Sequence, residues 1–330
     1  MTNLHPVVEE TAENIDSMET RGAATIAAAA AEALRRQAVD VGGRSPAGSQ
    51  TPSDDAEETD PDAFRETMRA AARRLHETRP TAVSLPNTLR YVLTRMEGDD
   101  VEELRESVDA AAREFDHRLD RAQDELGEVG ANRIQDGDTV MTHCHSTDAL
   151  SCIETAVEQG KELSAVVKET RPRNQGQITA AELVDLGVPV TLIVDNAAHR
   201  YLDDVDHLLV GADSIAADGS VINKIGTSGL AVNARERGVP VICAAQTIKL
   251  HPATLTGHTV EIEQRDEAEV IDPESQAEIG DIEVANPAFD VTPPRYVDAI
   301  VTESGQFPPE SVVTLMRELF GDGATRPWEE

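Results

Sequence analysis

The sequence has 330 residues, a formal net charge of −33 and only 3% aromatic residues. That length allows one large domain or two ordinary ones, with a core that must be mostly Val, Ile, Leu and Ala. The lack of any run of 18 apolar residues argues against a membrane partner, and the acidic balance argues against nucleic acid, which needs a basic stripe.

The charge is unevenly chosen. Four Lys stand against 25 Arg, and the acidic residues reach every segment. Such a surface resembles halophilic adaptation, in which salt screens the self-repulsion of many carboxylates. Where surface Lys is this rare, Lys161, Lys168, Lys224 and Lys249 each invite a specific reason. The N-terminus, MTNLHPVVEE, carries no basic segment of the kind that opens a signal peptide. Cys144, Cys152 and Cys243 form no CxxC pair, and their odd number argues against a disulfide scaffold. A reducing cytoplasm is the expected location.

Along the chain, residues 1–35 contain an Ala-rich helical stretch, AATIAAAAAEALRR. Residues 36–62 are then dominated by Gly, Pro, Ser and acid, and read as a disordered acidic insertion. FRETMRAAARRLHE places Phe64, Met68, Ala72 and Leu75 on one helical face. Pro86 is expected to open a helix over NTLRYVLTRM, and residues 101–130 form a long amphipathic pattern ending at Gly.

Beyond residue 136 the pattern changes. Apolar runs DTVMTHC, LSAVVKE, PVTLIVD, HLLVGAD, PVICAA and DAIVTES alternate with helical stretches such as DALSCIETAVEQG, GQITAAELVDLG and GTSGLAVNARERG. Alternation of this kind predicts a parallel sheet covered on both faces. The expected fold is therefore α/β, with a helical N-terminal domain over 1–130 and a Rossmann-like domain over 131–330. Ligands in such sheets bind outside the carboxyl ends of the strands, where Cys144, Glu169–Arg171, Asp195, Asp213 and Gln246 fall. Neither GxGxxG nor GxxxxGK[ST] is present, which disfavours dinucleotide and P-loop chemistry.

MTHCHS, residues 141–146, concentrates the chemistry. Zinc is disfavoured there, because consecutive strand residues point to opposite faces and His143 and His145 would point away from Cys144. A reactive thiol fits better. Ser146 can cap the helix that follows, whose positive end would lower the Cys144 pKa and favour the thiolate, a nucleophile or a base. Cys152 and Cys243 read as inert buried thiols, one in mid-helix and one in mid-strand. Asp213 ends an apolar strand and is followed by what reads as a polar loop. Near a low-dielectric core its carboxyl could stay protonated and act as an acid. Two helix starts offer amides to an anion, one at Arg21 and Gly22 and one at Asn223, Lys224 and Gly226. With Arg79 and Lys249, these cations suggest a strongly anionic substrate.

Six stretches in order, RGAATIA, RPTAVSLPNTLRYV, THCHS, ETRPRNQGQITAAELVDLGVPVTLIVDNA, LLVGADSIAADGSVINKIGTSGLA and NPAFDVTPPRYVDAIVTESG, resemble one superfamily. It unites sugar-1-phosphate isomerases with regulatory subunits of the guanine-exchange factor of translation initiation. The resemblance spans nearly the whole chain outside 36–62, and HCHS is similar to the archaeal ribose-1,5-bisphosphate isomerases. It implies conversion of ribose 1,5-bisphosphate to ribulose 1,5-bisphosphate in nucleoside degradation feeding an archaeal Rubisco, without metal or redox cofactor. Cys144 would be the base at C2 and Asp213 the acid. Substrate contacts would fall to Arg21, Gly22, Ala23, Ala24, Arg79, Ser146, Thr147, Asp148, Asn223, Lys224 and Lys249. Such relatives often carry Lys where Thr147 stands, so a phosphate contact there would be weaker. A homodimer, or a homohexamer built from dimers, is also implied. Alternatives within the superfamily are a methylthioribose-1-phosphate isomerase and a non-catalytic regulatory subunit, which generally lacks the Cys–Asp pair.

Overall fold

A computed structural model describes residues 4–20, 22–40, 60–321 and 326–329. The chain divides into two compact units, residues 1–121 with 325–330, and residues 122–324. The division falls inside a long helix rather than after it at residue 130.

The first unit is helical. Its helices are α1 (Pro6–Asp16), α2 (Ala23–Asp40), α3 (Pro61–His76), α4 (Ser84–Leu93) and the first two thirds of α5 (Val101–Ala131). The amphipathic face expected of α3 is present, with Phe64, Met68, Ala72 and Leu75 all buried. They join Ile15, Ile26, Leu34, Leu85 and Leu89 among the buried side chains, as does Trp328, whose ring is tilted by 51° against His76 at 5.2 Å between centroids.

Three expectations need correction here. Helix α1 was not anticipated; Pro6 at its first position and the His5 side chain accepting from the Val7 amide start it. The stretch read as an insertion is helical at both described ends, since α2 runs to Asp40 and α3 begins at Pro61; residues 41–59, where the disorder was expected, lie outside the described residues. Pro86 sits in the first turn of α4 rather than opening it, a position where its missing N–H costs nothing.

The second unit contains β1 (Thr139–His143), α6 (Thr147–Glu158), β2 (Ser164–Lys168), α7 (Gln175–Asp185), β3 (Val190–Ile193), α8 (Ala198–Tyr201) and β4 (His207–Val210). There follow β5 (Ser214–Ile215), β6 (Val221–Lys224), α9 (Thr227–Arg237), β7 (Val241–Ala244), α10 (Pro273–Ile279), β8 (Phe289–Thr292), β9 (Ala299–Thr302), β10 (Gly305–Phe307) and α11 (Val312–Phe320). Seven strands form one sheet in the order β10-β9-β7-β4-β1-β2-β3, parallel except for β10.

Alternation along each strand covers both faces of this sheet. Val140, Val167, Leu209 and Ile242 pack with Ile153 of α6 and Leu183 of α7. Their neighbours Met141, Val166, Leu208 and Val241 pack with Ala198 of α8 and with Leu230 and Ala234 of α9. Chain order runs outward in one direction from β1 through β2 to β3 and in the other from β4 through β7 to β9, so the topology reverses between β1 and β4. The crevice at the carboxyl ends of those two strands is where such sheets bind ligands.

One more expectation is corrected at that crevice. The residues after Asp213 are not a polar loop but a second sheet, antiparallel, in the order β5-β6-β8. Short strands with polar members, such as Asn223 and Asp290, lack the apolar run that betrays a core strand.

Candidate active site

Cys144 follows β1 and Asp213 lies three residues beyond the end of β4, so the two flank the point where the topology reverses. Strand β1 ends at His143, and Cys144 takes φ +67°, in the left-handed region. A non-glycine residue pays steric strain there, and such strain collects at functional sites. The strict strand alternation expected through His145 therefore stops one residue before the cysteine.

The surroundings of Cys144 come from four segments. In the β1–β2 register His143 pairs with Lys168, so their side chains share a face with Thr170. His143 Nε2 lies 3.0 Å from the Ile225 carbonyl, which places its proton there and leaves Nδ1 as acceptor. Both Lys168 Nζ and Thr170 Oγ1 stand 3.3 Å from that Nδ1. Burial first, and then the Lys168 charge, push the imidazole down to about 4, so it is neutral at physiological pH. His145 turns elsewhere: its Nδ1 is 3.1 Å from Thr179 Oγ1, whose hydroxyl donates to the Cys144 carbonyl at 2.9 Å.

The thiol departs from its expected state. Burial of Cys144 raises its pKa, and the opposing pull of Lys224 and the Thr170 hydroxyl does not cancel that rise. Proximity to the start of α6 thus does not yield a resting thiolate, because desolvation penalises the charge more strongly. Asp213 acts electrostatically on both Cys144 and Lys224, but it is exposed, so the low-dielectric surroundings expected for it are absent. Cys152 and Cys243 are fully buried, and desolvation raises both, Cys243 to about 12.

All four lysines have defined partners or surroundings. Lys161 donates to the Ala131 carbonyl at 2.7 Å. Lys168 pairs with Asp195 at 3.4 Å. Lys249 Nζ sits 2.8 Å from Asp148 Oδ2; burial opposes its charge, and the Asp148 carboxylate outweighs that and raises its pKa. Lys224, buried beside the Phe289 ring at 5.0 Å, makes no ion pair among the described residues, and burial together with Arg265 lowers its pKa.

Other expected residues are placed as follows. Ser146 caps α6, accepting from the Ala149 amide at 3.3 Å. It rests on Gly211, where a Cβ would come within 2.0 Å of the Ser146 hydroxyl. Thr147 is exposed. Asp148 is buried and also accepts from the Gln246 amide and side chain at 3.1 and 3.2 Å. Asn223 is buried and donates to Thr227 Oγ1 at 3.0 Å. The α9 start, expected to offer amides to an anion, already holds one: Asp290 accepts from Gly226 N at 2.8 Å and from Ser228 N at 3.0 Å. Gly226 is required there, since its φ is +96° and a Cβ would stand 3.0 Å from Lys168 Nζ. In the helical unit, α2 starts at Ala23 with Ala24 next, Gly22 precedes it at φ +84°, and Arg79 is half-buried. Arg21 lies outside the described residues.

Comparison with known proteins adds a lineage to this geometry. The model of the Initiation factor 2 subunit family matches residues 19–309. The chain belongs to that family. Among its relatives, the ribose 1,5-bisphosphate isomerase of Haloferax volcanii is 68% identical over 327 residues, covering 99% of this chain and 97% of the relative. The protein of the same name from Haloterrigena turkmenica is 66% identical over 335 residues, covering 99% and 98%. A crystal structure described as the translation initiation factor eIF-2B of Pyrococcus horikoshii OT3 superposes with a TM-score of 0.75 at 29% identity, over 94% of this chain and all of that one.

Proposed function

We propose that this member of the family is an aldose–ketose isomerase that converts ribose 1,5-bisphosphate to ribulose 1,5-bisphosphate. The observation that carries the reading is the placement of Cys144 and Asp213 after neighbouring strands β1 and β4, in a chain closely similar over its full length to proteins of that name.

As the ring opens, Asp213 gives its proton to the ring oxygen. The Cys144 thiolate takes the proton from C2, leaving an enediol-type intermediate. The C2 hydroxyl proton passes to Asp213 and from there to C1, which yields the C2 ketone. Exchange with solvent, in which the Cys144 thiol loses a proton and Asp213 gains one, resets the pair. Two acid–base groups at neighbouring strand ends are what such a transfer requires.

Lys224 is the cation best suited to an anionic substrate, because no carboxylate among the described residues neutralises it in an ion pair and its ammonium faces both Cys144 and Asp213 electrostatically. Ser146, Thr147 and Asn223 would supply neutral contacts, while Asp148 and Lys249 act as a pair. The resemblance adds Arg21, Gly22, Ala23, Ala24 and Arg79 to the proposed substrate contacts. The product is a Rubisco substrate, and nucleoside degradation would supply the sugar.

A second copy of the chain is the proposed partner. Edge strand β3 exposes Leu192, the residue after it, Val194, is exposed too, and α7 exposes Ile178 and Val184; an open apolar edge of this kind is normally covered. No helix among the described residues is long and apolar enough to cross a membrane; we propose a cytoplasmic location.

Incubation with ribose 1,5-bisphosphate in molar KCl, followed by NMR, tests the reading against methylthioribose 1-phosphate as rival substrate. Ketose from the bisphosphate alone, abolished by Cys144→Ser and Asp213→Asn, is the expected outcome. Turnover of the thioether sugar alone would make this a salvage isomerase. Inactivity of folded protein on both would leave a regulatory subunit.

A further inference from the structure

We propose that Thr179 and His145 are positioning residues that hold Cys144 in its left-handed turn: the Thr179 hydroxyl restrains the Cys144 carbonyl, and His145 keeps that hydroxyl facing it. The inference rests on the reading of Cys144 as the base.

The turn needs a restraint. Cys144 takes φ +67° immediately after a regular strand, a conformation that a side chain disfavours and that its surroundings must enforce. Two of its contacts are weak. Its amide donates to the Lys168 carbonyl at a long 3.4 Å, and its sulfur lies 4.0 Å from the His145 carbonyl. The short contact is the hydrogen bond from Thr179 Oγ1 to the Cys144 carbonyl, at 2.9 Å, made by a residue that is 3% exposed.

The proton positions follow from the partners. A carbonyl can only accept, so the single Thr179 hydroxyl proton goes to Cys144. The Thr179 oxygen then accepts from His145 Nδ1, 3.1 Å away, which places the His145 proton on Nδ1. His143 carries its proton on Nε2 instead, toward the Ile225 carbonyl. The two histidines that flank Cys144 therefore hold opposite tautomers.

A threonine in a helix commonly turns its hydroxyl to the carbonyl four residues back. Thr67 does so to Ala63 at 2.9 Å and Thr88 to Ser84 at 2.8 Å. Thr179 gives its proton to another segment, and the His145 N–H holds the oxygen on that side. Helix α7 is itself anchored close by. Its Gly176 amide donates to Glu169 Oε1 at 3.1 Å, and a Cβ on Gly176 would come within 2.8 Å of the Glu169 Cα. The first turn of α7 is thus pressed against the residue that follows β2, and Thr179 comes three residues later. Beyond the turn, Ser146 caps α6 and rests on Gly211, so the turn is held from both ends.

The test is site-resolved alkylation of Cys144, Cys152 and Cys243. Full-length wild type, Thr179→Val, Thr179→Ser, His145→Phe and the Phe/Val double variant are treated with iodoacetamide at fixed pH, and each cysteine peptide is quantified by mass spectrometry. Cys144 is 5% exposed and is reached when its turn opens, whereas Cys152 and Cys243 are fully buried and report global opening. No substrate is involved, so failure of the isomerase reading leaves this measurement intact. Thr179→Val should speed modification of Cys144 about fivefold, the factor contributed by one hydrogen bond of ordinary net strength, and leave Cys152 and Cys243 at their wild-type rates. Thr179→Ser should restore the slow rate. His145→Phe should speed Cys144 by a smaller factor, about twofold, and add nothing in the Val background. Equal acceleration of all three cysteines would make Thr179 a stability residue and overturn the positioning role. A wild-type rate in Thr179→Val, or a Thr179→Ser variant that behaves like Val, would overturn it as well. A His145→Phe effect of full size in the Val background would overturn the role of His145. Should Thr179→Val fail to fold, Thr179→Ala lacks the same hydroxyl and takes its place.

Discussion

Replacing Lys249 by Met isolates a deeply buried charge pair of the second unit. Its ammonium lies 2.8 Å from an Asp148 carboxylate whose side chain is 1% exposed. Removing one partner of such a pair leaves the other charge buried, at a cost of about 3–5 kcal/mol. The lower end applies here, because Gln246 still donates twice to Asp148. A loss of about 3 kcal/mol corresponds to a fall of about 6–12 °C in Tm for a unit of this size. Burial also shields the pair from salt, so the loss should persist in molar KCl. The pH dependence has a definite sign. The folded ammonium titrates above its ordinary value, so its contribution is complete below about pH 10.4 and disappears as pH rises through the higher folded pKa. Urea unfolding of wild type and Lys249→Met should therefore differ by a constant amount from pH 7 to 9, with the gap closing only above that range. The double variant Asp148→Asn/Lys249→Met should recover part of the loss. A single variant within about 1 kcal/mol of wild type, but with KM raised more than tenfold, would refute the reasoning and assign the Lys249 charge to the substrate; the 1 kcal/mol limit is that of an exposed pair.

Other expectations follow from the same geometry. Cys144→Ser should lose at least 100-fold in kcat while keeping the wild-type Tm, as the removal of a general base implies; equal activity would exclude the thiol. Since burial raises the Cys144 pKa, kcat/KM should climb with pH into the alkaline range, and a profile flat from pH 6 to 9 would contradict a thiolate base. Gly211→Ala forces a Cβ onto Ser146 and should cost about 1–3 kcal/mol in urea unfolding, the usual range for overpacking; a neutral change would mean that the α6 cap moves freely. Leu192→Asp should lower the mass measured by light scattering if β3 is the covered edge, and an unchanged mass would place the contact elsewhere.

The main sheet could be read from sequence because its strands are continuous apolar runs. The stretches starting at Asp138, Leu163, Pro189, His207, Pro240 and Asp298 each contain a strand of the seven-stranded sheet. Strand-end placement likewise pointed to Cys144 and Asp213, and Ser146 announced its cap through the apolar periodicity that follows it. What remained hidden depends on distance along the chain. Asp290 closes the α9 start from 62–64 residues away, and no local pattern signals that. The His143–Lys168 pairing depends on a register between strands 25 residues apart, so Thr170 drew attention only as part of Glu169–Arg171. Lys249 was noticed for its rarity, but its commitment to Asp148 needed the fold. The raised pKa of the thiol is hidden for a related reason, since helix proximity is visible in sequence whereas the competing burial is not.

The most direct test of the central claim is turnover of ribose 1,5-bisphosphate in deuterium oxide with molar KCl, with the ketose analysed by NMR. Proton transfer through Cys144 and Asp213 predicts ribulose 1,5-bisphosphate carrying one solvent-derived deuterium at C1, and none formed by Cys144→Ser. Product with the C2 hydrogen retained at C1 would contradict the account, because C1 would then not have received its proton from the C2 hydroxyl by way of Asp213.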